Sequence, residues 1–182
     1  MNCSCTPSAV TAPTLPGIEV LALTAAPVKD YPVSELEIPN HGVFPPGTVD
    51  FCNVTVTYTQ PGHDGEVNVE VWLPPQDMWN ERILAVGGGG LAAGRFIESY
   101  NHMVGVVSEN YATFTTDAGL SNPNAPAEWV LKEPGVLDED IVAYWGTASL
   151  NDMVLHLESV KRPVVTGVRD ICADSLHFFR RA

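Results

Sequence analysis

The clearest periodicity in the chain runs through residues 51–73. Cys52, Val54, Val56 and Tyr58 alternate with Asn53, Thr55, Thr57 and Thr59, the two-residue period of a β-strand. Gln60-Pro61-Gly62-His63-Asp64-Gly65 is turn chemistry, and Val67, Val69, Val71 and Leu73 then alternate with Asn68, Glu70 and Trp72. Together these segments predict an antiparallel β-hairpin. The register puts Cys52 on the apolar face and Asn53 on the polar one, where Asn53-Val54-Thr55 forms a glycosylation sequon. A second sequon is Asn2-Cys3-Ser4.

After a break at Pro74-Pro75, residues 82–86 predict a third strand, which runs straight into four glycines, 87–90. Residues 92–107 are partly helical in pattern, with Gly94 and Gly105 as weak points. Residues 111–116 are rich in β-formers and end at Asp117-Ala118-Gly119. A loop punctuated by Pro123, Pro126 and Pro134 follows. Asp138 then caps a helix expected to run to about residue 160, with Ile141, Trp145 and Ala148 on its apolar face. Hairpin, strand, glycine loop, helix, strand, loop and helix is the order of an α/β sheet.

A strand ending in a glycine run aims bare N–H groups at whatever lies above the sheet, because glycine tolerates φ > 0 and close backbone approach. Three uses compete with a purely structural turn. A phosphate loop fails, since no Gly-Lys-Ser/Thr follows. A dinucleotide fingerprint is matched in spacing by Gly88, Gly90 and Ala93, with Glu109 as the ribose acid. It requires the first strand of a βαβ unit, yet a hairpin comes first, and Glu109 precedes the next strand instead of ending it. An oxyanion loop fits well, because such loops follow the third strand of esterase-type sheets.

That reading needs a nucleophile, and no G-x-S-x-G surrounds any serine. His41, His63, His102, His156 and His177 show no metal spacing and read as structural or solvated. Asp117 reads first as a turn-former and second as a rim residue.

Composition narrows the partners. A net charge of −13, from 22 acidic against 9 basic residues, argues against nucleic acid and anionic membranes. No apolar run is long enough to span a bilayer. Five of the nine cations, Lys161, Arg162, Arg169, Arg180 and Arg181, fall after residue 160, so 161–182 stands apart as a divergent basic tail. Residues 1–16, rich in Thr, Pro, Ser and Cys, form an extended N-terminal segment. Cys3, Cys5, Cys52 and Cys172 contain no C-x-x-C pair, which removes zinc and thioredoxin-type chemistry. Inward-facing Cys52 is an anchor for that segment, and we expect a Cys5–Cys52 disulfide, with Cys3–Cys52 as the alternative.

Several motifs converge on a family. Cys52-Asn53-Val54-Thr55-Val56, the run V-N-V-E-V-W-L-P, and W-N-E-R ahead of four glycines and L-A-A-G resemble the tannase and feruloyl esterase family. So do A-T-F-T-T-D-A-G at 112–119 and A-S-L-N-D-M at 148–153. The resemblance covers about residues 3–160. It implies the N-terminal portion of an α/β-hydrolase fold, opening on the antiparallel hairpin, over residues 17–160. It implies a secreted serine esterase acting on small aromatic esters, feruloyl or galloyl, through an acyl-enzyme. No cofactor is implied in this part, although calcium is expected in the family's later lid. By its place in the motif, Gly90 would supply the oxyanion N–H, with Gly89 beside it.

The family's nucleophile sits in a C-S-x-G-G motif, which Cys172 and Ser175 do not reproduce. No Ser, Asp, His or metal ligand is therefore carried over, and the catalytic half is expected to be missing. The expectation is an inactive, truncated esterase fragment, with the strand at 111–116 and the Trp145 face left bare. The alternatives are a non-catalytic secreted binding or decoy domain, or a nicotinamide-dependent reductase. No signal-peptide pattern begins the sequence.

Overall fold

In a computed structural model, the described residues are 5–10, 12–14, 16–34, 36–38, 42–61, 65–120, 122 and 125–148. A short 3-10 turn, Pro7–Ala9, leads to the strands β1 (Glu19–Val33), β2 (Leu36–Ile38), β3 (Gly42–Phe44), β4 (Gly47–Thr59), β5 (Val67–Leu73) and β6 (Ile83–Ala85). Helix α1 (Ile97–Ser108) precedes β7 (Ala112–Thr116). The remainder is α2 (Pro126–Trp129), β8 (Leu131–Glu133), β9 (Val136–Leu137) and α3 (Glu139–Ala143), which widens into a π turn at Tyr144–Ala148.

Five strands form one mixed sheet in the order β1-β4-β5-β7-β6. The β4–β5 hairpin is antiparallel, with Cys52 opposite Leu73 and Tyr58 opposite Val67. β7 pairs antiparallel with β5 and parallel with β6, so β6, the glycine loop, α1 and β7 make one crossover unit. The expectation that residues 111–116 would lie bare is corrected. β7 has a partner on each side, and all five of its residues are buried.

The sheet does not begin with the hairpin. β1 precedes it and lies antiparallel along β4. Its apolar alternation is broken by register shifts at Val20/Ala22 and Val28/Tyr31, and it carries Pro27 and Pro32. Proline cannot donate to a ladder, so such a segment reads as non-strand; the ladder tolerates it because β1 is an edge. The bulges and Lys29 also discourage further pairing along that edge. At the second shift Asp30 takes φ 52, and Asp50 accepts from its N–H at 2.9 Å and from Lys29 Nζ at 2.6 Å.

Both faces of the sheet are buried. On one, Val54, Tyr58, Val67, Val69, Val71, Leu73 and Phe114 form a core that Val10, Ile18 and Trp79 flank. On the other, α1 brings Met103, Val104, Val106 and Val107 against Phe51, Trp72 and Val33. Phe51 stacks on Trp72 at 4.1 Å, Trp72 stacks on Tyr100 at 5.8 Å, and Tyr31 meets Phe51 and Trp72 edge-on. The hairpin's polar face is thus a second interior. Asn53 sits there opposite Trp72, and its Nδ2, the atom a glycan would occupy, donates to Glu70 Oε1 at 3.0 Å. Asn53, the sequon residue on that polar face, is half-buried here; Asn2 lies outside the described residues.

A third cluster joins Ala93, Ala118, Leu120 and Trp129, with Ile141 and Trp145 packed against it. Trp145 therefore has partners. Asp138 caps α3 as expected, accepting from Ile141 N at 3.2 Å, and α-helical geometry ends at Ala143. The expected continuation from residue 149 to about 160 lies outside the described residues, as do the tail 161–182, Cys3 and Cys172.

Cys5 is disulfide-bonded to Cys52, with 5.6 Å between their Cα atoms. The link holds the N-terminal segment against the sheet and closes a loop across 47 positions. In the loop-entropy model that constraint contributes about 4 kcal/mol. A Cys5→Ser/Cys52→Ser double variant should lose about that much stability in urea unfolding. A loss below about 1 kcal/mol would mean that β1 and the flanking core hold the segment without the bond.

Candidate active-site loop

The glycine run leaves β6 at Val86, whose N–H donates to Phe114 O at 2.8 Å, and emerges at the surface, where Gly87, Gly88, Gly89 and Gly90 are all exposed. Two of the four need to be glycine. Gly90 takes φ 61 inside a turn closed by Ala92 N donating to Gly89 O at 3.0 Å. At Gly88 a Cβ would stand 2.0 Å from Ala92 O and 2.1 Å from Ala93 O, so the loop folds back on its own backbone there. A Cβ at Gly87 or Gly89 would meet nothing. Gly89 and Gly90, the two expected oxyanion donors, thus lie side by side at the exposed turn. Among the described residues, the N–H groups of residues 88–90 have no acceptor, so they are free to meet an outside oxygen.

Beside the loop lies a cleft of about 480 Å³. Phe44, Val86, Phe96 and Val106 give it apolar walls; Glu98 and His102 stand on its α1 side. Ser99 also borders it. That hydroxyl is no nucleophile, because Ser99 is buried and its Oγ donates to Gly87 O at 3.1 Å. Of the five histidines only His102 is described; His41, His63, His156 and His177 lie outside. Among the described residues, no cluster of three or more His, Cys, Asp or Glu is placed to hold a metal ion.

The dinucleotide arrangement is not reproduced. Six residues separate the glycine run from the start of α1 at Ile97, and Glu98 occupies the helix's first turn, where a pyrophosphate would be repelled. Glu109 is the C-cap of α1, about 18 Å along the helix from that end. The acid that does end β7 is Asp117, and both its oxygens are occupied. Oδ1 accepts from Asn68 N at 2.9 Å and Gly119 N at 3.0 Å; Oδ2 accepts from Asn68 Nδ2 at 2.8 Å and Arg95 Nη1 at 2.9 Å. Asp117 is therefore a turn-former, as read from sequence, and an ion-pair partner as well.

Sequence reasoning missed the polar network behind the loop. Glu70, 5% exposed, lies on the α1-covered face. Its Oε1 accepts from Asn53 Nδ2 at 3.0 Å and Trp72 Nε1 at 2.8 Å. Its Oε2 accepts from Arg95 Nε at 3.2 Å and Tyr100 OH at 3.0 Å. Arg95, just past the loop, spans Glu70 and Asp117. Burial opposes its charge, but attraction to Asp117 and hydrogen bonds to both carboxylates outweigh that and hold its pKa above the ordinary value. Burial, then repulsion from Glu70, pushes the Tyr100 phenol up to about 12. One signal was available: Arg95 is one of only four cations before residue 161, and it directly follows the glycine motif.

No family model matches the chain. A protein of Arthroderma benhamiae named as a probable feruloyl esterase is 36% identical over 145 residues, 79% of this chain and 26% of its own length. Among solved structures, the tannin acyl hydrolase from Aspergillus niger superposes with a TM-score of 0.74 at 27% identity, covering 90% of this chain and 29% of the hydrolase. The chain spans little more than a quarter of either relative.

Two outcomes follow from the network. Glu70→Ala leaves Arg95, Tyr100, Trp72 and Asn53 short of an acceptor, and should cost about 3 kcal/mol or more in urea unfolding. A cost within about 0.5 kcal/mol would mean that the donors find other partners. Tyr100 ionises near 10 when unfolded and near 12 when folded. A raised folded pKa contributes stability that is complete below pH 10 and lost as pH rises through 12. Ultraviolet titration should show a late phenol component that Tyr100→Phe removes; a titration curve whose late part is unchanged in that variant would contradict it.

Proposed function

We propose, from the premise that the chain is related to the N-terminal part of the tannase and feruloyl esterase family, that it supplies the oxyanion side of a carboxylic ester hydrolase. The observation that carries this reading is the exposed loop at residues 87–90, whose N–H groups at 88–90 have no acceptor among the described residues and whose Gly87, Gly88 and Gly89 border a cleft within a β-α-β crossover. In an α/β-hydrolase, the loop between the third strand and the first helix presents such a group to the tetrahedral intermediate. Gly90, with Gly89 beside it, takes that role here. Each such donor contributes about 10²–10³-fold to turnover by stabilising charge that develops only in the transition state.

Chemistry completes as acyl transfer. A serine attacks the ester carbonyl, a histidine takes its proton, and an acid orients the histidine. Among the described residues no serine–histidine hydrogen bond is formed: Ser99 Oγ donates to Gly87 O, and His102, three residues further along α1, borders the same cleft without bonding it. The substrate in this reading is a small aromatic ester, feruloyl or galloyl, and the apolar walls of the cleft suit an aromatic acid. The Cys5–Cys52 disulfide favours an oxidising, extracellular setting.

Chain 1–182 should therefore hydrolyse methyl ferulate and methyl gallate no faster than buffer does. Turnover blocked by a fluorophosphonate would overturn the reading that this chain is inactive and place a working serine in it. Calorimetry separates the remaining alternatives. Ester binding without turnover favours a non-catalytic binding domain, and a micromolar dissociation constant for NAD or NADP would restore the reductase.

A further inference from the structure

We propose that Arg95 is the positioning residue of the glycine loop: anchored to Glu70 and Asp117, it fixes the backbone around residues 88–94, and so the orientation of the loop N–H groups. The use made of those N–H groups rests on the esterase reading; the clamp itself rests on geometry.

Arg95 has a backbone φ of 58, in the left-handed region that an arginine seldom occupies. Such a conformation persists only where the surroundings over-determine it, and it points to a working role when it adjoins a site. Here the surroundings are explicit. Gly94 N donates to Thr116 O at 2.8 Å, and Arg95 N donates to Thr115 Oγ1 at 3.3 Å, which ties the loop's exit to the end of β7. No side chain fits at Gly94, where a Cβ would stand 1.9 Å from Thr115 Oγ1. The guanidinium then bonds two carboxylates on two strands, Glu70 on β5 and Asp117 at the end of β7. Ala118, next to Asp117, is also left-handed at φ 55, so both chain segments meeting at the ion pair hold strained backbone.

The clamp reaches the donors through the loop's own packing. Gly88 lies against the carbonyls of Ala92 and Ala93, and Ala92 closes the turn on Gly89. Residues 88–93 are thus linked through their own backbone, and Arg95 holds the far end of that link. Ser99 pins the near end through Gly87 O. An exposed loop rich in glycine would otherwise sample many conformations, and a donor that must first be ordered stabilises an oxyanion less than a preorganised one does. Lysine could not replace the arginine, because a single ammonium lacks the planar fork that meets two carboxylates at once.

The test measures backbone 15N relaxation of Gly88, Gly89 and Gly90 in the whole 182-residue chain, with Arg95→Ala and Arg95→Lys beside wild type. Wild-type order parameters should be near about 0.85, and both variants should fall below about 0.6 at these glycines. Amides of β5 and β7 should keep their order and their hydrogen-exchange protection. Loop glycines as rigid in both variants as in wild type would overturn the proposal. Loosening spread equally through the sheet would overturn it too, as would failure of both variants to fold, since Arg95 would then be a general stabiliser. If only Arg95→Ala fails to fold, Arg95→Lys decides by the same criteria. No ester enters the measurement, so failure of the clamp leaves the esterase reading standing, and failure of that reading leaves the clamp standing.

Discussion

One carboxylate organises this structure. Glu70 is taken out of water in the middle of a sheet, and a buried charge persists only when paired and hydrogen-bonded. Its two oxygens collect donors from β4 (Asn53), β5 (Trp72), the loop exit (Arg95) and α1 (Tyr100). Each donor lies on a different element or at a different height, so satisfying Glu70 fixes where α1 and the glycine loop sit on the sheet. Asp117 does the same from the end of β7, and Arg95 joins the two.

The packing around that charge follows. The Phe51–Trp72–Tyr100 stack gives Glu70 apolar surroundings and supplies two of its four donors. Low polarity nearby strengthens each of those bonds and makes any missing partner costly. The result is a rigid base beneath an exposed loop. The four glycines divide their work: Gly88 allows close backbone approach, Gly90 allows a left-handed turn, and the N–H groups of 88–90 have no acceptor among the described residues. An oxyanion loop needs this division, since donors must be bare toward the ligand and held from behind.

The charge distribution has a similar logic. Among the described residues the cations are few, and each has a fixed neighbour. Lys29 bonds Asp50, Arg82 bonds Tyr111, and Lys132 bonds Asp140 near Asp138. These three are surface contacts that contribute little. Arg95 alone among them meets its carboxylates largely out of water. An acidic chain that places one of its few cations directly behind a glycine loop concentrates its electrostatics there.

The sequence by itself determined the elements with strong local signals. The β4–β5 hairpin, the third strand into the glycine run, the strand at 112–116 and the Asp138 cap were all legible from period and capping chemistry. Local rules suffice for these because strand alternation and cap geometry are set by neighbours a few residues away. Tertiary structure decided the rest. β1 was hidden because proline and bulges break its alternation, and only edge position makes them tolerable. The polar face of the hairpin became an interior because α1 folds over it, which turned Asn53 inward. Glu70, Arg95 and Asp117 lie 25 and 22 residues apart along the chain, and no local pattern links them. They meet because β5 and β7 are neighbours in the sheet, and the cost of an unpaired buried charge allows no looser arrangement.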